Sequence, residues 1–179
     1  VIARMVGRKI SNIYPREDVA IGEKAIEVEH FCQKGIFEDI SFYARRGEIV
    51  GFAGLVGAGR TETMRAVFGL DPHESGVVKI NGKEVSIKST SDSIANGLIM
   101  LSESRRDDGI VPVRSVRENA SLANLGRYIY GGYTHKRKER QEVGEMFGKM
   151  NVKTPSMDTE ISKLSGGNQQ KIGRASCRE

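Results

Sequence analysis

An apolar run, Ile49-Val50-Gly51-Phe52-Ala53, passes without a break into Gly54-Leu55-Val56-Gly57-Ala58-Gly59-Arg60-Thr61-Glu62. Behind it Met64, Val67 and Phe68 recur at helical spacing. A segment apolar at every position reads as a strand buried on both faces, so the order is strand, glycine loop, helix. Gly54 to Thr61 fits the phosphate-binding pattern Gly-x-x-x-x-Gly-Lys-Ser/Thr, except that Arg60 stands where lysine is usual. Glycines let the backbone curl until successive N–H groups point at an anion. A helix beginning near Arg60 adds its positive end, worth about 0.3 to 1 kcal/mol per favourable charge. A guanidinium is planar and bulkier than an ammonium, so the exchange is not conservative; phosphate binding is expected here, and fast hydrolysis less so. Thr61 offers a hydroxyl to Mg²⁺. A glycine turn without a ligand is the plain alternative, and the flanking strand and helix argue against it.

The rest of the chain supplies the frame for such a loop. Its 179 residues allow one domain plus parts of neighbours. Hydrophobic residues at 38% and charged residues at 28% permit a packed core and exclude general disorder. The apolar stretch Ile49 to Ala58 falls short of the roughly 18 to 20 residues of a membrane span. Two cysteines, Cys32 and Cys177, make no disulfide framework, and no leader pattern opens the chain, which fits a reducing cytoplasm. A net charge of +5 and a pI near 9.3 are compatible with polyanions, anionic lipid and phosphate-bearing small molecules alike. Beginning at Val1 rather than Met, the chain reads as a fragment.

Residues 9–24 mix charge with turn formers and read as a linker. Alternation at Ile26, Val28 and His30, and again over Ile36 to Tyr43, predicts two half-exposed strands separated from the apolar run by a turn at Arg46-Gly47. Val77–Ile80 and Lys83–Ile87 flank Asn81-Gly82, a hairpin turn in which both central residues take positive φ. A short helix over Ser91–Asn96, closed by Gly97, leads to Leu98–Leu101, a second buried strand. Ser115 and Glu118 form a capping box that starts a helix bearing Ala120, Leu122 and Leu125. Val143, Met146, Phe147 and Met150 stripe a helix over Lys136–Met150.

A second motif follows, Leu164-Ser165-Gly166-Gly167-Asn168-Gln169-Gln170-Lys171. Alone it is a helix-opening turn. With the glycine loop ahead of it in that order and distance, the chain resembles the ATP-binding cassette (ABC) family. The likeness narrows with Arg4-Met5-Val6-Gly7-Arg8, the arginine-bearing loop, Ser102-Glu103-Ser104-Arg105-Arg106-Asp107-Asp108-Gly109, and the Asn168-Gln169-Gln170-Lys171 ending. These look like the second cassette of tandem sugar-import ATPases of the ribose, galactose and arabinose type. Asn151 to Met157 looks most like the ribose members.

The resemblance implies an α/β fold of the P-loop NTPase, ABC nucleotide-binding type: a mixed sheet core with an antiparallel β subdomain plus a helical subdomain, truncated at the C-terminus. Residues 1–8 would end a preceding cassette and 9–24 would be the linker. Residues 25–110 would form the ATP-binding core and 111–171 the helical subdomain. ATP and Mg²⁺ are the implied cofactors. Gly54, Leu55, Val56, Gly57, Ala58, Gly59, Arg60, Thr61 and Glu62 would hold this cassette's nucleotide. Ser165, Gly166, Gly167, Asn168 and Gln169 would clamp the γ-phosphate of another cassette, in the same chain or a second copy. Thr61 and Glu103 would face Mg²⁺. Cassettes stack an aromatic on adenine, and Phe31 and Phe37 are both candidates.

Membrane permease subunits would be the direct partners and a periplasmic sugar-binding protein an indirect one, with the chain peripheral at the cytoplasmic face of the inner membrane. Departures are Ser104 and Arg106, where the family reads Asp and Lys, and the tail. Ile172 to Glu179 breaks the family's apolar helix and resembles the translation of a sequencing-library adapter, so it is read as non-native. The catalytic carboxylates and switch histidine would then lie outside the chain. The basic run His135-Lys136-Arg137-Lys138 reads as the solvated end of a helix, and Tyr128, Tyr130 and Tyr133 as loop packing, so no nucleic-acid partner is expected. His30, His73 and His135 have no metal-ligand spacing. ABC ATPases of nucleic-acid or translation function, and a degenerate regulatory cassette, are the competing readings. Coiled-coil arms of hundreds of residues do not fit between Thr61 and Ser165.

Overall fold

Alternating side chains with one apolar face need a partner strand and a covering layer, and both are found near the start of the described region. The computed structural model describes residues 18–176; the expected cassette end at 1–8 and the first part of the linker lie outside it. Strands β1 (Lys24–Gln33), β2 (Phe37–Arg45), β3 (Ser75–Ile80) and β4 (Lys83–Val85) form one antiparallel sheet in the order β2-β1-β3-β4. The β3–β4 turn has φ of 49° at Asn81 and 75° at Gly82, as that dipeptide demands. Asn81 also reaches outward, its N–H donating to the Ala25 carbonyl and its Oδ1 accepting from Arg46.

The β1–β2 ladder is irregular near its turn, with register shifts on both sides of Phe31. His30 and Asp39 each sit at φ 50°, and their side chains meet, Nδ1 to Oδ1, at 2.7 Å. Such shifts re-aim side chains. Here they accompany Phe31 and Phe37 in the core of the first unit, with Val28, Val78, Ile87 and two residues of helix α1 (Arg60–Val67), Ala66 and Val67. Helix α2 (Thr90–Ala95) is capped by Ser89, whose hydroxyl accepts from the Asp92 N–H, and it is tied to the end of α1 through Ser93 Oγ–H to the Phe68 carbonyl at 2.9 Å.

Two expected strands are not formed. Ile49–Ala53 and Leu98–Leu101 are irregular backbone, with Ile49 98%, Ile99 54% and Leu101 58% exposed. A strand apolar on both faces is stable only between paired neighbours and beneath layers on either side, and among the described residues neither segment pairs with a strand. Every pairing within this four-stranded sheet is antiparallel, as expected of the antiparallel β subdomain.

The described residues fall into two compact units, the first reaching Leu98 and the second starting at Ile99. The second holds a π turn (Arg105–Gly109), helix α3 (Val116–Ser121), a 3-10 segment (Leu122–Tyr128), the hairpin β5 (Ile129–Tyr130) and β6 (Tyr133–Thr134), helix α4 (Lys136–Met150), a 3-10 turn (Ile161–Lys163) and helix α5 (Gly166–Ser176). Its core joins Val116, Ala120, Val143, Phe147, Ile161, Leu164 and Ile172, with Met146 and Met150 against it. Leu122 and Leu125 miss that core. The helix tightens to 3-10 geometry after Ser121 and is non-helical at Asn124, so the 3.6-residue stripe is lost. Among the described residues no helix is long and apolar enough to cross a membrane.

The capping box is present. Glu118 N–H donates to Ser115 Oγ at 3.2 Å, and Ser115 N–H donates to Glu118 Oε2 at 2.9 Å. That N–H and the Ser115 hydroxyl hold the Glu118 carboxyl below its ordinary 4.5. A carboxyl depressed in the folded state contributes fully above its unfolded value and loses the contribution as pH falls through the folded one. Ser115→Ala should cost about 1 kcal/mol in urea unfolding. The difference from the parent chain should be full at pH 7 and shrink below about pH 4.5.

Candidate functional site

The glycine loop of the first unit runs exposed from Gly51 to Ala58 and buries itself at Gly59. It closes a turn with Ala58 N–H to the Leu55 carbonyl at 3.1 Å, and Gly57 then takes φ 82° and Gly59 φ 75°. Gly59 is the N-cap of α1, and its carbonyl accepts from both the Thr63 N–H at 2.9 Å and the Thr63 hydroxyl at 2.7 Å. A β-carbon at Gly59 would stand 2.9 Å from the Ile36 carbonyl oxygen and 3.5 Å from the Phe37 Cβ. Glycine is thus demanded twice, by φ and by space. The far end of α1 is fixed by Arg65, whose Nε and Nη2 bond Asp71 at 2.7 and 2.9 Å and hold its carboxyl below the usual range.

What the loop presents is a row of donors. Among the described residues, the N–H groups of Gly57, Gly59, Arg60, Thr61 and Glu62 bond to no backbone or side-chain acceptor. The three helical ones are the orphans of any helix start, and no side chain caps them. Thr61 is exposed. The side chain of Arg60 folds back over the loop, its Nη2 donating to the Leu55 carbonyl at 3.3 Å. Orphan amides at a positive helix end suit an anion with several oxygens, such as a polyphosphate.

In the second unit, α5 begins with Ser165 and Gly167 exposed. Asn168 is engaged internally, its Oδ1 accepting from the Lys153 N–H at 3.0 Å and its Nδ2 donating to Ser165 Oγ at 3.2 Å. Gln169 is buried, its Nε2 donating to the carbonyls of Ile161 and Leu164 at 3.1 Å each. Gln169 therefore shapes the turn rather than facing a ligand. Glu103 lies exposed on the irregular stretch ahead of the π turn. Residues 54–62 thus come together in one unit, and 165–169 in the other.

The adenine-stacking candidates are corrected. Phe31 is fully buried, its ring stacked on Phe37 at 5.9 Å and on His73 at 4.4 Å, and Phe37 is 8% exposed. Sheet irregularity turns both rings inward, where neither has a face for a base. Sequence reasoning also missed Thr63 and Glu139. Glu139 is 1% exposed and bonds Arg117 and Ser121; a signal existed, since it lies one turn ahead of Val143 on the apolar stripe. Gly59→Ala should lower stability by about 1 kcal/mol or more. It should also abolish inorganic polyphosphate binding by calorimetry, because relief of the clash must move the loop off Ile36.

The sequence profile described as ABC transporter covers residues 37–177. A ribose import ATP-binding protein of Bacillus licheniformis is 44% identical over 96% of this chain and 35% of its own length. Another ribose import ATP-binding protein, from Bacillus subtilis, is 42% identical with the same coverage of each chain. The chain spans about a third of the length of these curated relatives. A solved ATP-binding cassette of an ABC transporter, in its ADP conformation, superposes with a TM-score of 0.68 at 14% identity, covering 86% of this chain and 64% of that one. At that identity the likeness speaks for the fold, and the profile and the curated relatives speak for descent: the chain belongs to the ABC transporter family.

Proposed function

We propose that this chain is the nucleotide-handling part of an ATPase that energises uptake of a ribose-like monosaccharide across the cytoplasmic membrane. The observation that carries the reading is the set of N–H groups of Gly57, Gly59, Arg60, Thr61 and Glu62, unpartnered among the described residues, around an exposed glycine turn. The names of the curated relatives, ribose import ATP-binding proteins, support the sugar class. Their greater length supports a second cassette joined to this one, with residues 1–8 and 9–24 as the end of the first cassette and its linker.

In this reading the loop amides donate to the phosphate oxygens of ATP, and the positive end of α1 favours their charge. Arg60 leaves the Leu55 carbonyl to contact a phosphate, acting as a planar donor where an ammonium would act as a point. Thr61 and Glu103 are the residues that would hold Mg²⁺, which would supply positive charge to offset that of the phosphates. The exposed Thr61 hydroxyl fits that part. Ser165 and the N–H groups of Gly166 and Gly167 serve the γ-phosphate of the opposing cassette, whether in the same longer chain or a second copy. Permease subunits would receive the resulting motion at the cytoplasmic face, and a periplasmic binding protein would deliver the sugar.

Two measurements test this. Calorimetry on the 179-residue chain should show Mg-ATP binding that Thr61→Ala weakens, with phosphate release no faster than a buffer blank. Turnover that disappears on Thr61→Ala would place the catalytic carboxylates within this chain and overturn that part of the reading. In the intact transporter, Ser165→Arg should cut ATPase activity by about 10² to 10³, the effect of losing an oxyanion donor, while Arg60→Ala hurts less. A larger loss from Arg60→Ala would make this cassette's own loop the main engine.

A further inference from the structure

Three tyrosines lie just upstream of a basic run, and the fold sets two of them on a hairpin against its start. Tyr128 is buried, but Tyr130 and Tyr133 are 54% and 82% exposed and lie opposite each other on the β5–β6 hairpin. Ile129 beside them is 43% exposed. The hairpin turns on Gly131 and Gly132, at φ 57° and 83°, so no side chain guards its tip. Directly after it, His135 caps α4 by accepting from the Lys138 N–H, and Lys138 reaches back to Tyr130, Nζ to OH at 2.6 Å and 5.1 Å from the ring centroid. The next two basic residues, Lys136 and Arg137, are exposed and have no acidic partner among the described residues. The carboxylates that could neutralise them are already engaged. Glu139 is buried against Arg117 and Ser121, Glu142 pairs with Arg127 at 3.3 Å, and Asp158 pairs with Arg140 at 2.7 Å.

We propose that the β5–β6 hairpin and the first turn of α4 form a contact site for anionic lipid headgroups at a membrane surface. Tyrosines with an apolar body and a polar tip, beside an exposed isoleucine, suit the boundary between headgroups and acyl chains. Unpaired Lys136 and Arg137 complement the negative potential of an anionic leaflet. Single-stranded nucleic acid fits less well, because it wants successive open ring faces. The Tyr130 ring has Lys138 over it and the His135 ring at its edge, 6.1 Å away. The site is independent of nucleotide binding.

Sedimentation of the whole chain with vesicles tests it, comparing pure phosphatidylcholine with vesicles one-third phosphatidylglycerol. Binding should require the anionic lipid and weaken as salt rises. Lys136→Ala and Arg137→Ala should each weaken it about fivefold, and Tyr133→Ala at least about threefold, while Lys149→Glu near the other end of α4 changes it less than twofold. The chain contains no tryptophan, so Tyr133→Trp is a single reporter, and its emission should shift to the blue with anionic vesicles and not with neutral ones. Equal binding to both vesicles, or charge variants that weaken binding while the Tyr133→Trp emission stays put, overturns the proposal. Release of the chain from vesicles by single-stranded RNA at matched phosphate concentration, lost in the same variants, would assign the surface to nucleic acid instead.

Discussion

The absence of a side chain at Gly59 lets the β1–β2 turn press its Ile36 carbonyl onto the end of the glycine loop. That contact ties the sheet to the unpartnered amides of the loop. The register shifts at His30 and Asp39 lead into the turn, the Phe31, Phe37 and His73 rings pack beneath it, and Thr63 fixes α1 to the same glycine from the other side. Loop conformation is thus a tertiary product. Glycine takes positive φ at little steric cost, so what the contact adds is a buried, fixed position for Gly59 at the end of the exposed loop.

In the second unit the corresponding constraint is a buried carboxylate. Glu139 draws Arg117 of α3 and Ser121 onto α4, and breaking such a pair by removing one partner costs about 3 to 5 kcal/mol. The first turn of α3 is then completed from outside the helix, the N–H groups of Val116 and Arg117 donating to the carbonyls of Thr159 and Met157 at 2.8 and 2.9 Å. Those bonds carry the chain into the 3-10 turn and so to Leu164 and Ser165. A polar cluster within the second unit therefore sets where the exposed serine stands.

Locally determined features were legible. The Asn81-Gly82 turn, the Ser115–Glu118 box and the Lys136–Met150 helix each depend on residues within a few positions of one another, and each is found where the pattern puts it. The loop-to-helix transition at Arg60 was legible for the same reason. What depended on distant partners was not. Ile49–Ala53 and Leu98–Leu101 have strand-like composition, but strand formation is decided by neighbours that this sheet does not supply. Side-chain direction was equally hidden: alternation could not say that bulges would turn Phe31 and Phe37 into the core, or that Gln169 would turn inward while Ser165 faced out.

The two bonds from Gln169 to the carbonyls of Ile161 and Leu164 have a thermodynamic side. Ordering a loop residue on ligand arrival costs about 1 to 2 kcal/mol of conformational entropy, and that loss is subtracted from affinity. With the turn before α5 already held from within, a phosphate bound there as proposed would meet Ser165 and its amides in a fixed arrangement. Encounter at this helix end should be a rigid-body event, with a small entropic term and an association rate set by diffusion and orientation rather than by waiting for backbone to fold.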